Sequence, residues 1–152
     1  MLEHNFPSSH QAIFFRLHIA AIYLSYVAFL AASIAAVLYL IQDHALKNKQ
    51  TGIIFSRLPD LSFLDKLNYR SIGLGFPVLT VSILSGFIWA NNAYSLYWPN
   101  YHYRQVLSLV LWLTYAVILH VRLSAKLRGR KVAFLSLFAF FIIVLSLFGT
   151  CP

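Results

Sequence analysis

The sequence is short of nearly everything a water-soluble domain of its size needs on its surface. Only 11% of its 152 residues are charged, and just four residues are acidic. With 60% of the chain hydrophobic, there is too little polar surface to clothe a globule in water. The single cysteine, Cys151, excludes both a disulfide framework and a CxxC metal site. No P-loop, HExxH, GxSxG or strand-linked GxGxxG occurs, so the common hydrolytic and nucleotide-binding machinery is missing. Asp43, Asp60 and Asp65 all fall between apolar runs, and no paired carboxylate lies at membrane depth. Proton-coupled transport is therefore disfavoured, and independent acid–base catalysis is not expected. The start, MLEHNFPSSHQ, lacks the cationic region and small-residue cleavage site of a signal peptide. The first apolar run is expected to stay in the mature protein.

What is abundant is long apolar sequence. Four runs are long enough to cross a bilayer, at about 13–41, 71–93, 106–123 and 132–149. They predict an all-α integral membrane protein, a four-transmembrane-helix bundle forming one membrane domain over 1–152. Gly73, Gly75, Pro77 and Gly86 interrupt the second run, where neighbouring helices can satisfy the freed backbone groups. The three glycines are expected to face other helices and let backbones approach. The stretch PDLSFLDKLNYR carries Leu61, Leu64 and Leu67 at helical spacing. It predicts an amphipathic interfacial helix in the cytoplasmic loop.

The net charge of +8 invites a nucleic-acid reading, which its distribution excludes. Ten of the twelve Lys and Arg lie within 47–70 and 122–131, each between two apolar runs. This is the positive-inside pattern. It predicts that those two loops face the cytoplasm or its organellar equivalent, in a bacterial inner membrane or corresponding organellar membrane. Both termini and loop 94–105 are then non-cytoplasmic. Lipid and other membrane subunits are the expected partners, with no nucleic acid.

Of six histidines, His18 and His120 lie inside apolar runs, where an ionisable group is costly and commonly functional. The alternative for either is a neutral ring bonded to a neighbouring helix. At 1.5 Å per residue, His18 lies about 8 Å into its run and His120 about 20–24 Å into its own, both measured from the non-cytoplasmic end. Axial ligands of one haem iron must converge on a single atom, so these two are not expected to share one. Loop 94–105 holds Tyr94, Tyr97, Trp98, Tyr101, His102, Tyr103 and Arg104. It reads as an interfacial aromatic belt, or as a stacking shelf for a flat cofactor with His102 as ligand and Arg104 on a propionate.

Three strings go further. The segment FLDKLNYRSIGLGFPVLTVSILSGFIWANNAY, then WLTYAVILHVRL, then RGRKVAFLSLFAFF resemble the cytochrome c assembly family of haem-handling membrane proteins, of the CcsA, CcmC and HemX type. The likeness spans nearly all of 14–149, and LDxLxYRxIxLGFPxLT, GxxWANxA and YAxxLHxR are its specific elements. The resemblance implies haem, with haem b as the expected cofactor. His18 stands where the family has the first of two outward histidines, and His120 where it has a membrane histidine. Trp98 matches one tryptophan of the family's WGxYWxWDPKETW motif, and Tyr94 stands in place of another. After Trp98 this sequence reads PNYHYRQV, without the motif's acidic and lysine positions. The family's GLHSY segment, with its second outward histidine, does not occur.

The candidate cofactor residues are thus His18, His120, His102, Trp98, Tyr97, Tyr101 and Arg104, with His120 and His18 as haem-iron ligands. Near the outward surface, a His18–His102 pair under Tyr97, Trp98 and Tyr101 is the economical arrangement. The expected role is a haem-binding or scaffolding subunit of a larger electron-transfer complex. One alternative is a working haem-handling component for a c-type cytochrome, completed by cytochrome c maturation proteins on other chains. The other is a structural subunit without cofactor.

Overall fold

The computed structural model describes residues 8–49, 52–93 and 103–149, and all regular structure there is helical. Five helices follow in order: α1 Ser8–Lys47, α2 Ile53–Arg57, α3 Leu61–Ala93, α4 Tyr103–Ser124 and α5 Arg130–Phe148. All but the short α2 are long and apolar enough to cross a membrane. The bundle closes as a ring in which α1 packs on α3 and α5, and α4 packs on α5 and α3.

Every span begins before its apolar run, and α1 and α4 also end beyond theirs. At 1.5 Å per residue, α1 is about 60 Å long and α3 about 50 Å, against a hydrocarbon layer of about 30 Å. Hydrophobicity marks where a helix meets lipid, whereas helix continuity follows backbone propensity through flanking polar residues. The same effect revises the interfacial segment. Residues 61–70 are helical, but they form the first turns of α3 rather than a separate helix.

The α1–α3 contact is the closest in the bundle because small residues line it. Ala21, Ser25, Ala32, Ser33 and Ala36 of α1 are buried, with Phe29 as the large knob among them. Opposite stand Asn68, Ile72, Leu79 and Ser82 of α3. Gly75 receives Phe29 directly, since a Cβ there would lie 2.6 Å from its ring. The other face of Phe29 stacks on Tyr115 of α4, at 3.7 Å between centroids and 8° between planes.

Two of the three glycines fulfil the packing expectation and one does not. Gly75 and Gly86 meet α1, but Gly73 faces open space. Its place in the helix supplies the reason. Gly73 lies four residues before Pro77, whose ring presses on that carbonyl and cannot bond to it. A residue without a side chain gives the backbone room at that point.

The outside of the bundle is apolar nearly all round. Tyr23, Leu74 and Phe148 are among the most exposed large side chains, which is the surface lipid requires.

Candidate functional site

Two polar centres lie on α3, at opposite ends of the bundle. At the end carrying the basic loops, Arg122 of α4 turns inward onto α3. Its Nη2 donates to Asp65 Oδ2 at 2.6 Å and to the Asp65 carbonyl at 3.0 Å. The guanidinium also lies 4.8 Å from the centroid of the Tyr69 ring. Next to it, Asn68 donates from Nδ2 to the Ala32 carbonyl at 2.8 Å and to Ser136 Oγ at 3.1 Å. Helices α1, α3, α4 and α5 are thereby joined through one buried cluster. By polarity alone, Asp65 falls in a loop between apolar runs and Arg122 at the edge of another. Their signal was present nonetheless, since the two residues stand in the LDxLxYR and LHxR strings.

This clasp also sets the rotation of α4. His120 precedes Arg122 by two residues, about 200° around the helix at 100° per residue. Arg122 faces inward and His120 is exposed on the outside of the four-helix unit. No hydrogen bond to His120 occurs among the described residues.

The other centre is built on His18. Its Nδ1 lies 2.7 Å from the Ser82 carbonyl and 3.2 Å from Ser82 Oγ. The Ser82 hydroxyl in turn reaches the His18 carbonyl at 3.3 Å. The ring rests against Gly86, where a Cβ would stand 2.7 Å from Nδ1.

His18 also forms part of the wall of a groove of about 390 Å³ between α3 and α4. A side-chain tie between the two helices lies below the groove. Trp112 Nε1 donates to Thr80 Oγ1 at 2.9 Å, and the Trp112 ring stacks on Phe76. Beyond this tie, Ile83, Phe87 and Trp89 of α3 face Val106, Leu109 and Leu113 of α4 across the opening. Phe15 of α1 packs on Trp89 at 5.0 Å between centroids. Gln105 contributes a polar atom to the lining, and its buried Oε1 has no hydrogen-bond partner among the described residues. An apolar slot with one oriented imidazole suits a flat, largely apolar molecule that accepts a nitrogen ligand.

Of the residues singled out in the sequence, His18 is thus in the groove and His120 lies on the outer surface near the other centre. Ser82 and Asp65 are seventeen residues apart on α3, about 25 Å along the axis, which keeps the two histidines at separate levels. Tyr97, Trp98, Tyr101 and His102 lie outside the described residues, as does the side chain of Arg104. No group of three or more His, Cys, Asp or Glu is gathered as a metal site among the described residues.

The architecture is that of a helical membrane bundle with a histidine-lined groove and a polar clasp formed by its characteristic strings. Residues 3–151 match the family described as Cytochrome C assembly protein, and the chain belongs to that family. It is 31% identical over 148 residues to the cytochrome c biogenesis protein CcsA of Guillardia theta, covering 88% of this chain and 49% of that protein. The CcsA of Chlamydomonas reinhardtii is 35% identical over 133 residues, covering 88% of this chain and 36% of the relative. That of Heterosigma akashiwo (strain NIES-293 / 8280G21-1) is 32% identical over 170 residues, covering 91% and 52%. The chain spans about half the length of several of the curated relatives it matches. No solved structure matches it.

Proposed function

We propose that this chain is a haem-binding membrane subunit of a larger electron-transfer assembly, in which His18 would ligate haem b at the α3–α4 groove. The supporting observation is His18 itself. It is an ionisable ring held by α3 in the wall of an otherwise largely apolar slot of ligand size. The groove fits the group: aromatic and aliphatic side chains would cover the macrocycle, and His18 would supply nitrogen to the iron. Haem bound there would bring a redox-active iron. The chain's own residues hold and orient it, and limit access of water from the α1 side through the Phe15–Trp89 pair. On this reading His102 is the second ligand, the shelf of Tyr97, Trp98 and Tyr101 covers the open edge, and Arg104 meets a propionate. His120 takes its partner from a neighbouring chain, since it is exposed and has no hydrogen bond among the described residues.

A second reading has a specific observation behind it. The relatives are cytochrome c biogenesis proteins, and several are about twice as long as this chain. The chain would then handle haem for a c-type cytochrome, with maturation proteins supplying the remaining helices and ligands. In both readings the basic loops face the cytoplasm or its equivalent, and the groove opens toward the opposite side.

Absorption spectra of the assembly purified from its native membrane test the proposal. A Soret band with low-spin bis-histidine character is expected, diminished by His18→Ala and by His102→Ala. A colourless assembly refutes haem binding. Unchanged haem in both variants removes the groove from the site. Co-purified respiratory or photosynthetic subunits support the first reading, and maturation proteins support the second.

A further inference from the structure

We infer that Ser82 and Gly86 of α3 are positioning residues that hold His18 as the Nδ1–H tautomer and keep Nε2 as its only free ligating atom. A backbone carbonyl can only accept, so the 2.7 Å contact from Nδ1 to the Ser82 oxygen requires the proton on Nδ1. The neutral ring then carries its lone pair on Nε2. A hydrogen bond of this kind fixes both tautomer and ring orientation in histidines that bind metals.

Gly86 makes the contact possible. The ring occupies the space a side chain would take, with Nδ1 2.7 Å and Cε1 2.8 Å from where a Cβ would stand. Even alanine must push the imidazole away from α3, along with its bond to Ser82. The Ser82 hydroxyl locks the same place from the other direction by bonding the His18 backbone carbonyl. Two adjacent turns of α3 therefore grip one residue of α1 at both its ring and its backbone. Gly73 lies on the same helix with nothing within 4 Å of its would-be Cβ, so the demand for glycine at 86 comes from the ring and not from the helix. The GxxWANxA string begins at Gly86, which gives that string a physical meaning in this chain.

The tautomer stands on geometry alone, while its consequence for haem rests on the reading of His18 as a ligand. The experiment separates the two. The full chain is labelled with 15N-histidine and studied by solid-state NMR in lipid, without haem, with His18→Ala used to assign the resonance. A protonated Nδ1 and an unprotonated Nε2 are expected for His18, and Gly86→Ala should abolish or mix that signature. Gly73→Ala should leave it intact. An Nε2–H tautomer in the unaltered chain, or an unchanged signature in Gly86→Ala, overturns the inference.

In a parallel arm, haem is added to each variant. Gly86→Ala should hold it about tenfold more weakly and with an altered low-spin spectrum, in line with the loss of an orienting partner. Haem unaffected by His18→Ala refutes the ligand reading while leaving the NMR result standing. Haem lost in His18→Ala but normal in Gly86→Ala refutes the positioning role. Should Gly86→Ala fail to fold, His18→Asn decides. Its amide can keep the donation to Ser82 but cannot reach the iron as Nε2 does. It should match the parent chain in thermal stability while losing the haem spectrum. Instability equal to that of His18→Ala counts against the tie to α3.

Discussion

Replacing Arg122 with Gln breaks the one ion pair that joins α3 to α4 among the described residues. The side chain of Arg122 is 7% exposed and that of Asp65 is 18% exposed, so little water reaches either group. Their contacts are short, at 2.6 Å between side chains and 3.0 Å to the Asp65 carbonyl, and the Tyr69 ring packs on the guanidinium. Glutamine can replace a fraction of the hydrogen bonding but none of the charge. An uncompensated buried carboxylate typically costs about 3–5 kcal/mol, and the partial exposure of Asp65 points to the lower end. For a chain of this length, about 3 kcal/mol corresponds to a drop in Tm of roughly 6–12 °C. Thermal unfolding of the detergent-solubilised protein, followed by circular dichroism, is the assay. Asp65→Leu with Arg122→Met should recover most of the loss, because an apolar pair leaves no charge behind. A Tm for Arg122→Gln within about 1 °C of the parent would refute this account of the clasp. So would a double variant whose loss equals the sum of the two single losses.

Gly75→Ala should be destabilising by about 1–3 kcal/mol through overpacking, since it drives Phe29 against Tyr115. Gly73→Ala should be neutral or slightly stabilising by helix propensity, and a comparison of Tm values checks both. In a Cys151→Ser background, Arg128→Cys, in the exposed link between α4 and α5, should react with a membrane-impermeant thiol reagent from the cytoplasmic-equivalent side alone. Labelling from the opposite side would reverse the orientation. Position 128 serves better than Gly129, whose φ of 86° and closeness to the Tyr39 hydroxyl disfavour any side chain.

The sequence by itself determined the solvent of this protein, and from that much of its architecture. Four apolar runs with so few charges leave only membrane-crossing helices, because in hydrocarbon each backbone group must be bonded within its own segment. Periodicity also found the helix at 61–70, though not its fusion with α3, because polarity says where lipid ends and not where a helix does. The three quoted strings identified the family, and His18 was singled out by the cost of an ionisable group in an apolar run.

The tertiary structure decided what those residues do to one another. No local rule pairs Asp65 with Arg122 across 57 positions, or aims His18 at the Ser82 carbonyl 64 residues away. Nor could spacing tell Gly73 from Gly75. The three glycines are alike in a one-dimensional pattern, and they separate only when α1 lies along α3 with Phe29 against one, His18 against another and nothing against the third. The groove has the same origin, because it is the space between α3 and α4 above the Trp112–Thr80 tie, with His18 of α1 in its wall. Lipid exposure is a property of each segment and is written in its composition. Packing is a property of pairs of segments, and it becomes definite only once the helices have met.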